Sequence, residues 1–153
     1  MKSAVWSKWV SRAVMALVAM LSATATLAFE AQKVEVYKSP SCGCCTLWVE
    51  HMRRSGFSVV VHDVRDVMPF RERYGVPDAM SSCHTALVGG YVLEGHVPAA
   101  DVRRLLREKP KATGIAVPGM VQGSPGMEQG QGSDPYNVLL FRKGEWPRIF
   151  ARH

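Results

Sequence analysis

The sequence predicts an α/β fold with a mixed central sheet and flanking helices. Three observations carry that expectation. Short β-branched runs alternate with segments of helical spacing, a pattern that favours parallel pairing between strands joined by helices. Gly89-Gly90 separates two short apolar runs, as a tight antiparallel hairpin requires. Glycine or proline stands just beyond each helical segment, where a helix ends.

Taken in order, Lys33-Val34-Glu35-Val36-Tyr37 alternates and reads as the first strand. Ser39-Pro40-Ser41 breaks it. A helix from Gly43 or Cys44 to Arg54 follows, with Leu47, Trp48, Val49 and Met52 on or beside its buried face and Ser55-Gly56 at its end. Phe57 to Val64, rich in valine, is the second strand. Asp66 to Tyr74 carries charges at helical spacing and stops at Gly75-Val76-Pro77. Thr85 to Val88 and Tyr91 to Glu94 form the hairpin, an antiparallel edge of the sheet. Pro98 to Glu108 is an amphipathic helix with Val102, Leu105 and Leu106 on one face. This βαβαββα order matches a thioredoxin-like core. Beyond Lys111 the composition shifts: Gly114 to Asp134 is rich in Gly, Pro, Gln and Met and is expected to be an irregular cover. Tyr136 to Phe141 and Trp146 to Phe150, around Lys143-Gly144, read as a final hairpin.

Residues 1–28 have the layout of an export signal. Lys2, Lys8 and Arg12 precede the apolar run Ala13 to Leu21, and small residues follow up to Ala28. Cleavage after Ala28 is favoured over Ala25. The run is short for a membrane span, which takes about 20 residues, so an uncleaved anchor is the lesser alternative and no stable span is expected after cleavage. Residues 29–153 then form one exported domain, sent to an oxidising compartment where paired thiols are ordinarily oxidised unless a metal or a reductant protects them. Removing residues 1–28 takes away three basic and no acidic residues, so the formal charge falls from +6 to +3. No basic stripe interleaved with aromatics is present, which argues against nucleic acid.

The four cysteines carry the functional signal. Three lie in Cys42-Gly43-Cys44-Cys45 and the fourth is Cys83, followed by His84. Three thiols in four positions are crowded for ordinary disulfide architecture. At a helix start, unpaired N–H groups and the positive helix end favour thiolate, the form that binds metal and also the form that attacks disulfides. The segment leading into the third strand should lie against this helix start, so Cys83 is expected to face the other three. Soft thiolates select copper(I), zinc or iron–sulfur clusters. Adjacent Cys44 and Cys45 suit a single tetrahedral zinc poorly, and iron–sulfur sites use wider spacing. Copper(I), bridged by shared sulfurs in a multinuclear cluster, ranks first. Met80, Met120 and Met127 are soft accessory candidates whose alternative role is filling core gaps. His84 is a further accessory candidate, although a strand neighbour of Cys83 should point the other way. His51 and His62 read as structural or solvated, and His96 and His153 carry no recognisable spacing.

Together, Tyr37-Lys38-Ser39-Pro40-Ser41-Cys42-Gly43-Cys44-Cys45, Gly75-Val76-Pro77, Ser82-Cys83-His84-Thr85-Ala86 and Gly123-Ser124-Pro125-Gly126-Met127-Glu128 resemble the exported DUF411 family, which includes a copper-resistance protein. The resemblance runs in order through nearly all of residues 29–153; Val121-Gln122 is a local variation. It implies a thioredoxin-like fold, a periplasmic location, and copper binding by Cys42, Cys44, Cys45 and Cys83. Exchange with other periplasmic copper-handling proteins would follow. Two readings compete. Cys42 and Cys45 have the Cys-x-x-Cys spacing of a thiol–disulfide oxidoreductase, but Cys44 between them invites scrambling. A disulfide from the motif to Cys83 could instead staple the sheet, leaving two thiols unpaired. Interconversion of copper(I) and copper(II) is an additional possibility for a redox-active cluster.

Overall fold

The computed structural model describes residues 31–153 except Gln131; the expected signal segment lies outside the described residues. Strand β1 (Lys33–Lys38) buries Val34, Val36 and Lys38 on one face, as its alternation requires. Helix α1 (Gly43–Arg54) buries Cys45, Trp48, Val49 and Met52, a spacing that places one stripe against the sheet. Trp48 is fully buried, and its indole N–H donates to the Val97 carbonyl at 2.9 Å. Strand β2 (Ser58–Asp63) pairs with β1 in parallel, placing Lys33 opposite Ser58 and Lys38 opposite Asp63.

Helix α2 (Met68–Tyr74) starts later than the charge spacing suggests. The Asp66 carboxylate accepts the Met68 N–H at 2.9 Å, so Asp66 makes the turn into the helix instead of joining it. Gly75, at φ +70°, ends α2 in the left-handed conformation. A 3-10 turn at Asp78–Met80 then leads into β3 (His84–Val88) and β4 (Tyr91–Glu94), joined through Gly89-Gly90. Helix α3 (Ala99–Glu108) buries Val102 and Leu105.

Three more strands follow: β5 (Gly114–Ala116), β6 (Asn137–Phe141) and β7 (Arg148–Arg152). The seven strands form one mixed sheet in the order β2-β1-β3-β4-β5-β6-β7. Two expectations are thereby corrected. The β3–β4 hairpin is not an edge: β3 pairs with β1 and β4 pairs with β5, so both strands lie inside the sheet. The stretch from Gly114 is not irregular at its start, because Gly114, Ile115 and Ala116 form β5, parallel to β4. All three are buried, so they show no alternation to read. Strand β7 starts after Pro147, leaving Trp146 in solvent.

Gly114 is required by contact. A Cβ there would stand 1.9 Å from the Val92 carbonyl oxygen. Gly114→Ala should therefore push β5 off β4 and cost about 1–3 kcal/mol, as overpacking does. Denaturant unfolding measures this, and a loss below about 0.5 kcal/mol, the scale of an ordinary surface change, would show that the contact relaxes freely.

Candidate metal centre

The sharp turn out of β1 sets the first cysteine. Cys42 donates its N–H to the Ser39 carbonyl at 3.1 Å and takes the N-cap position of α1 with extended backbone. Its sulfur accepts the Cys45 N–H at 3.3 Å, doing for the helix end what a serine oxygen usually does. Cys42 and Cys45 are joined in a disulfide, their Cα atoms 5.3 Å apart across the first turn. The motif is therefore not too crowded for a disulfide: one helical turn brings its outer members within bonding reach. The pairing lies within the motif and does not involve Cys83. Cys44 and Cys83 are free thiols.

Cys83 enters from the far side of the sequence and meets the motif. The four sulfurs all lie within 4.8 Å of one another, with Cys42 and Cys44 3.4 Å apart. Cys45 is fully buried and the other three are partly exposed. The Cys83 thiol is pushed up to about 12 by burial, with the neighbouring Cys44 adding to the effect. Activation at a helix end thus does not extend to Cys83, which lies before β3. That sulfur gives up its proton to a bound cation more readily than to water.

A buried carboxylate holds the Cys83 segment in place. Glu94, on β4, accepts the Ser82 N–H at 2.8 Å and the Thr85 hydroxyl at 2.6 Å, gripping the chain on both sides of Cys83-His84. Arg71 on α2 donates its Nε–H to the same carboxylate at 2.8 Å and also bonds the Ser82 carbonyl. Burial raises the Glu94 carboxyl above its ordinary range, against the opposing pull of Thr85, Ser82 and Arg71. On the outer side, Ser82 bonds the Gly119 carbonyl, and the Gly119 N–H donates to Ser81 at 2.9 Å.

Two imidazoles join the site. His84 is fully buried, its Nδ1 3.6 Å from the Cys83 sulfur. It does not point away, because β3 begins only at His84 and the strand alternation does not reach back to Cys83. His96 is also fully buried, with Nε2 2.9 Å from the Cys83 sulfur and Nδ1 2.8 Å from the Pro125 carbonyl. The sequence holds a signal for His96 after all. A two-residue turn at Gly89-Gly90 pairs Thr85 with Glu94, and the same register continued outward sets residue 83 opposite residue 96.

The methionines divide. Met80 packs in a core cluster with Val76, Val92, Ala116 and Phe141, the gap-filling role. Met120 is 61% exposed. Met127 lines a cleft of about 440 Å³ with Gly43, Cys44, Leu47 and Gln122. Its approach depends on Gly126, at φ +86°, where a Cβ would stand 2.7 Å from the Cys44 carbonyl and 2.8 Å from the Trp48 nitrogen. The glycine-rich segment lies flush on the start of α1 for that reason. His51 accepts the Ala99 N–H at 3.1 Å, and His153 bonds Asp101 at 2.7 Å; both are structural.

His84 and His96 are held below the ordinary imidazole range, in both cases chiefly by burial. The unfolded chain takes up these protons near pH 6.5, while the folded chain resists until lower pH. Stability of the metal-free protein should therefore be full above about pH 6.5 and fall as the pH drops towards the folded values. Each group contributes up to about 1.4 kcal/mol per pH unit in that window. Urea unfolding at pH 7.5 and 5.5 measures it; equal stabilities would mean the imidazoles are not held neutral.

Two solved structures of a copper resistance protein CopG, in two forms, are similar to this chain. Both are 41% identical and cover 81% of it, with TM-scores of 0.77 and 0.76, and the match takes in 99% and 98% of the solved chains. Residues 80–127 match the model of a protein family of unknown function, DUF411. The chain belongs to the DUF411 family. The DUF411 match opens at Met80 and closes at Met127, so it contains Cys83, His84 and His96 but not the Cys42–Cys45 motif. No curated protein matches the chain. Among the described residues, no helix is long and apolar enough to cross a membrane.

Proposed function

We propose that this chain is a periplasmic copper-binding protein that sequesters copper(I) for copper resistance, on Cys42, Cys44, Cys45 and Cys83. The observation that carries the reading is the convergence of four sulfurs within 4.8 Å of one another. Such a set is soft, crowded and partly exposed, which suits sulfur-bridged copper(I) better than one tetrahedral zinc. The copper is cargo. Taking it on all four sulfurs requires the Cys42–Cys45 disulfide to accept two electrons and two protons from a dithiol reductant, which is itself oxidised to a disulfide, and each thiol then releases its proton as copper binds. The strand order β2-β1-β3-β4, with β1 parallel to β2 and β3 antiparallel to both β1 and β4, supports a thioredoxin-like core. The basic and apolar leader at residues 2–28 supports export. Met127 is the best placed accessory donor and Met120 is free to approach, whereas Met80 is committed to the core.

A second reading has its own observation. The Cys42–Cys45 disulfide at the start of α1 has the placement of a thiol–disulfide oxidoreductase, and copper(I)/copper(II) interconversion could share its electrons. Anaerobic copper(I) titration of the reduced residues 29–153, with an insulin-reduction assay alongside, separates the two. Tight loading with no reductase activity supports sequestration; reductase activity with no loading overturns it. Cys44→Ser should weaken copper loading while leaving folding intact, and unchanged copper stoichiometry in that variant would favour the oxidoreductase.

A further inference from the structure

Sulfur is not the whole donor set. Cys83, His84 and His96 form a second group whose ligand atoms also lie within 4.8 Å of one another, and it shares only Cys83 with the four-sulfur group. We propose that these three residues form a mixed sulfur–nitrogen copper subsite that needs none of the helix cysteines. It therefore stays available while Cys42 and Cys45 are joined. The proposal rests on the copper-binding reading above and extends it to the imidazoles.

The tautomer of His96 is fixed by its surroundings. A carbonyl oxygen only accepts, so the 2.8 Å contact to Pro125 places the ring proton on Nδ1. The neutral ring then carries its lone pair on Nε2, which faces the Cys83 sulfur at 2.9 Å. In the metal-free protein that pair holds the thiol proton, S–H donating to nitrogen. Copper(I) takes the proton's place: the sulfur–hydrogen bond breaks, the proton leaves to solvent, and sulfur and nitrogen both bind the ion. A backbone carbonyl orienting the far nitrogen of a ligating imidazole is a recurrent feature of metal sites.

His84 supplies the third donor. Its Nδ1 stands 3.6 Å from the same sulfur, close to the roughly 3.5–3.7 Å separation set by bonds of about 2.3 Å to sulfur and 2.0 Å to nitrogen. Its Nε2 is buried with no hydrogen-bond partner, and neither tautomer relieves that. With the ring proton on Nε2, the Nδ1 lone pair is free to face the site. The two rings meet edge to face, centroids 5.1 Å apart, and His84 lies against Trp48 at 4.4 Å. Closing round an ion asks His96 to withdraw by roughly half an ångström or slightly more, given those bond lengths.

The test uses residues 29–153 with Cys42→Ser, Cys44→Ser and Cys45→Ser combined, which leaves Cys83 as the single thiol. Anaerobic copper(I) should load to one ion per chain, and X-ray absorption should show one sulfur and two nitrogens. Adding His96→Gln should remove a nitrogen and weaken binding by at least the roughly tenfold that loss of even an outer partner costs. No retained copper, or a shell without nitrogen, overturns the proposal. Should the triple variant not fold, reduced wild-type protein is compared with His96→Gln alone: a nitrogen lost from the copper shell supports the subsite, and an unchanged shell overturns it. Wild-type protein that takes no copper at all defeats the sequestration reading as well, so the two failures are told apart.

Discussion

Cys83→Ser should at least halve the copper(I) capacity of the reduced protein while leaving its fold intact. Cys83 is the one sulfur that reaches the site from outside the α1 start, and it belongs both to the four-sulfur group and to the histidine group. Serine is nearly isosteric but hard, so copper(I) loses a shared ligand and keeps only the Cys42, Cys44 and Cys45 sulfurs. Cys83 is partly exposed and lies outside the strands, so little packing is lost with its sulfur. Anaerobic titration against a copper(I) chelator gives the stoichiometry, and circular dichroism checks the fold. Wild-type loading by this variant would show that the four sulfurs do not act together. Insulin reduction by the Cys42–Cys45 pair, if it occurs, should be indifferent to this change.

Glu94→Ala should cost about 3 kcal/mol or more, the scale of breaking a buried ion pair. The fully buried Glu94 carboxylate faces Arg71, whose side chain is 18% exposed. Removing Glu94 leaves Arg71, the Ser82 N–H and the Thr85 hydroxyl without their acceptor. Water can reach Arg71 from its exposed side, which keeps the loss at the lower end of the range. Glu94→Gln retains an acceptor and should lose less. Copper affinity should fall together with stability, because the grip on Ser82 and Thr85 is what sets Cys83. Denaturant unfolding tests the first claim; a loss under about 1 kcal/mol, no larger than an average substitution, would show that the clamp is dispensable.

Much of the fold is legible from local pattern. Val34 and Val36 alternate, Trp48, Val49 and Met52 repeat at helical spacing, and Gly89-Gly90 marks its turn. Strand β5 is not legible, because a three-residue strand buried throughout has neither length nor alternation. The place of the hairpin within the sheet follows from that omission, since β5 is what converts β4 from edge to interior. In the site, the meeting of Cys83 with the motif follows from strand and helix order. The Cys42–Cys45 bond does not, because cysteine spacing alone leaves metal, disulfide and redox chemistry open. His96 is missed because it lies 13 positions from Cys83 and only the hairpin register relates them. Met80 shows the opposite: proximity in sequence to Cys83 placed it among the donors, while a buried cluster around Phe141 claims its side chain.

The interior position of the β3–β4 hairpin has a mechanical consequence. Cys83 and His96 sit at its two open ends, and each strand is laced to a further neighbour, β1 on one flank and β5 on the other. Displacing either residue therefore strains two ladders at once, so this wall of the pocket behaves as a rigid anvil. Backbone give as the contents of the pocket change must come from the opposite wall, the first turn of α1 and the Gly123–Met127 arm lying on it, while the gap between Cys83 and His96 opens by side-chain motion.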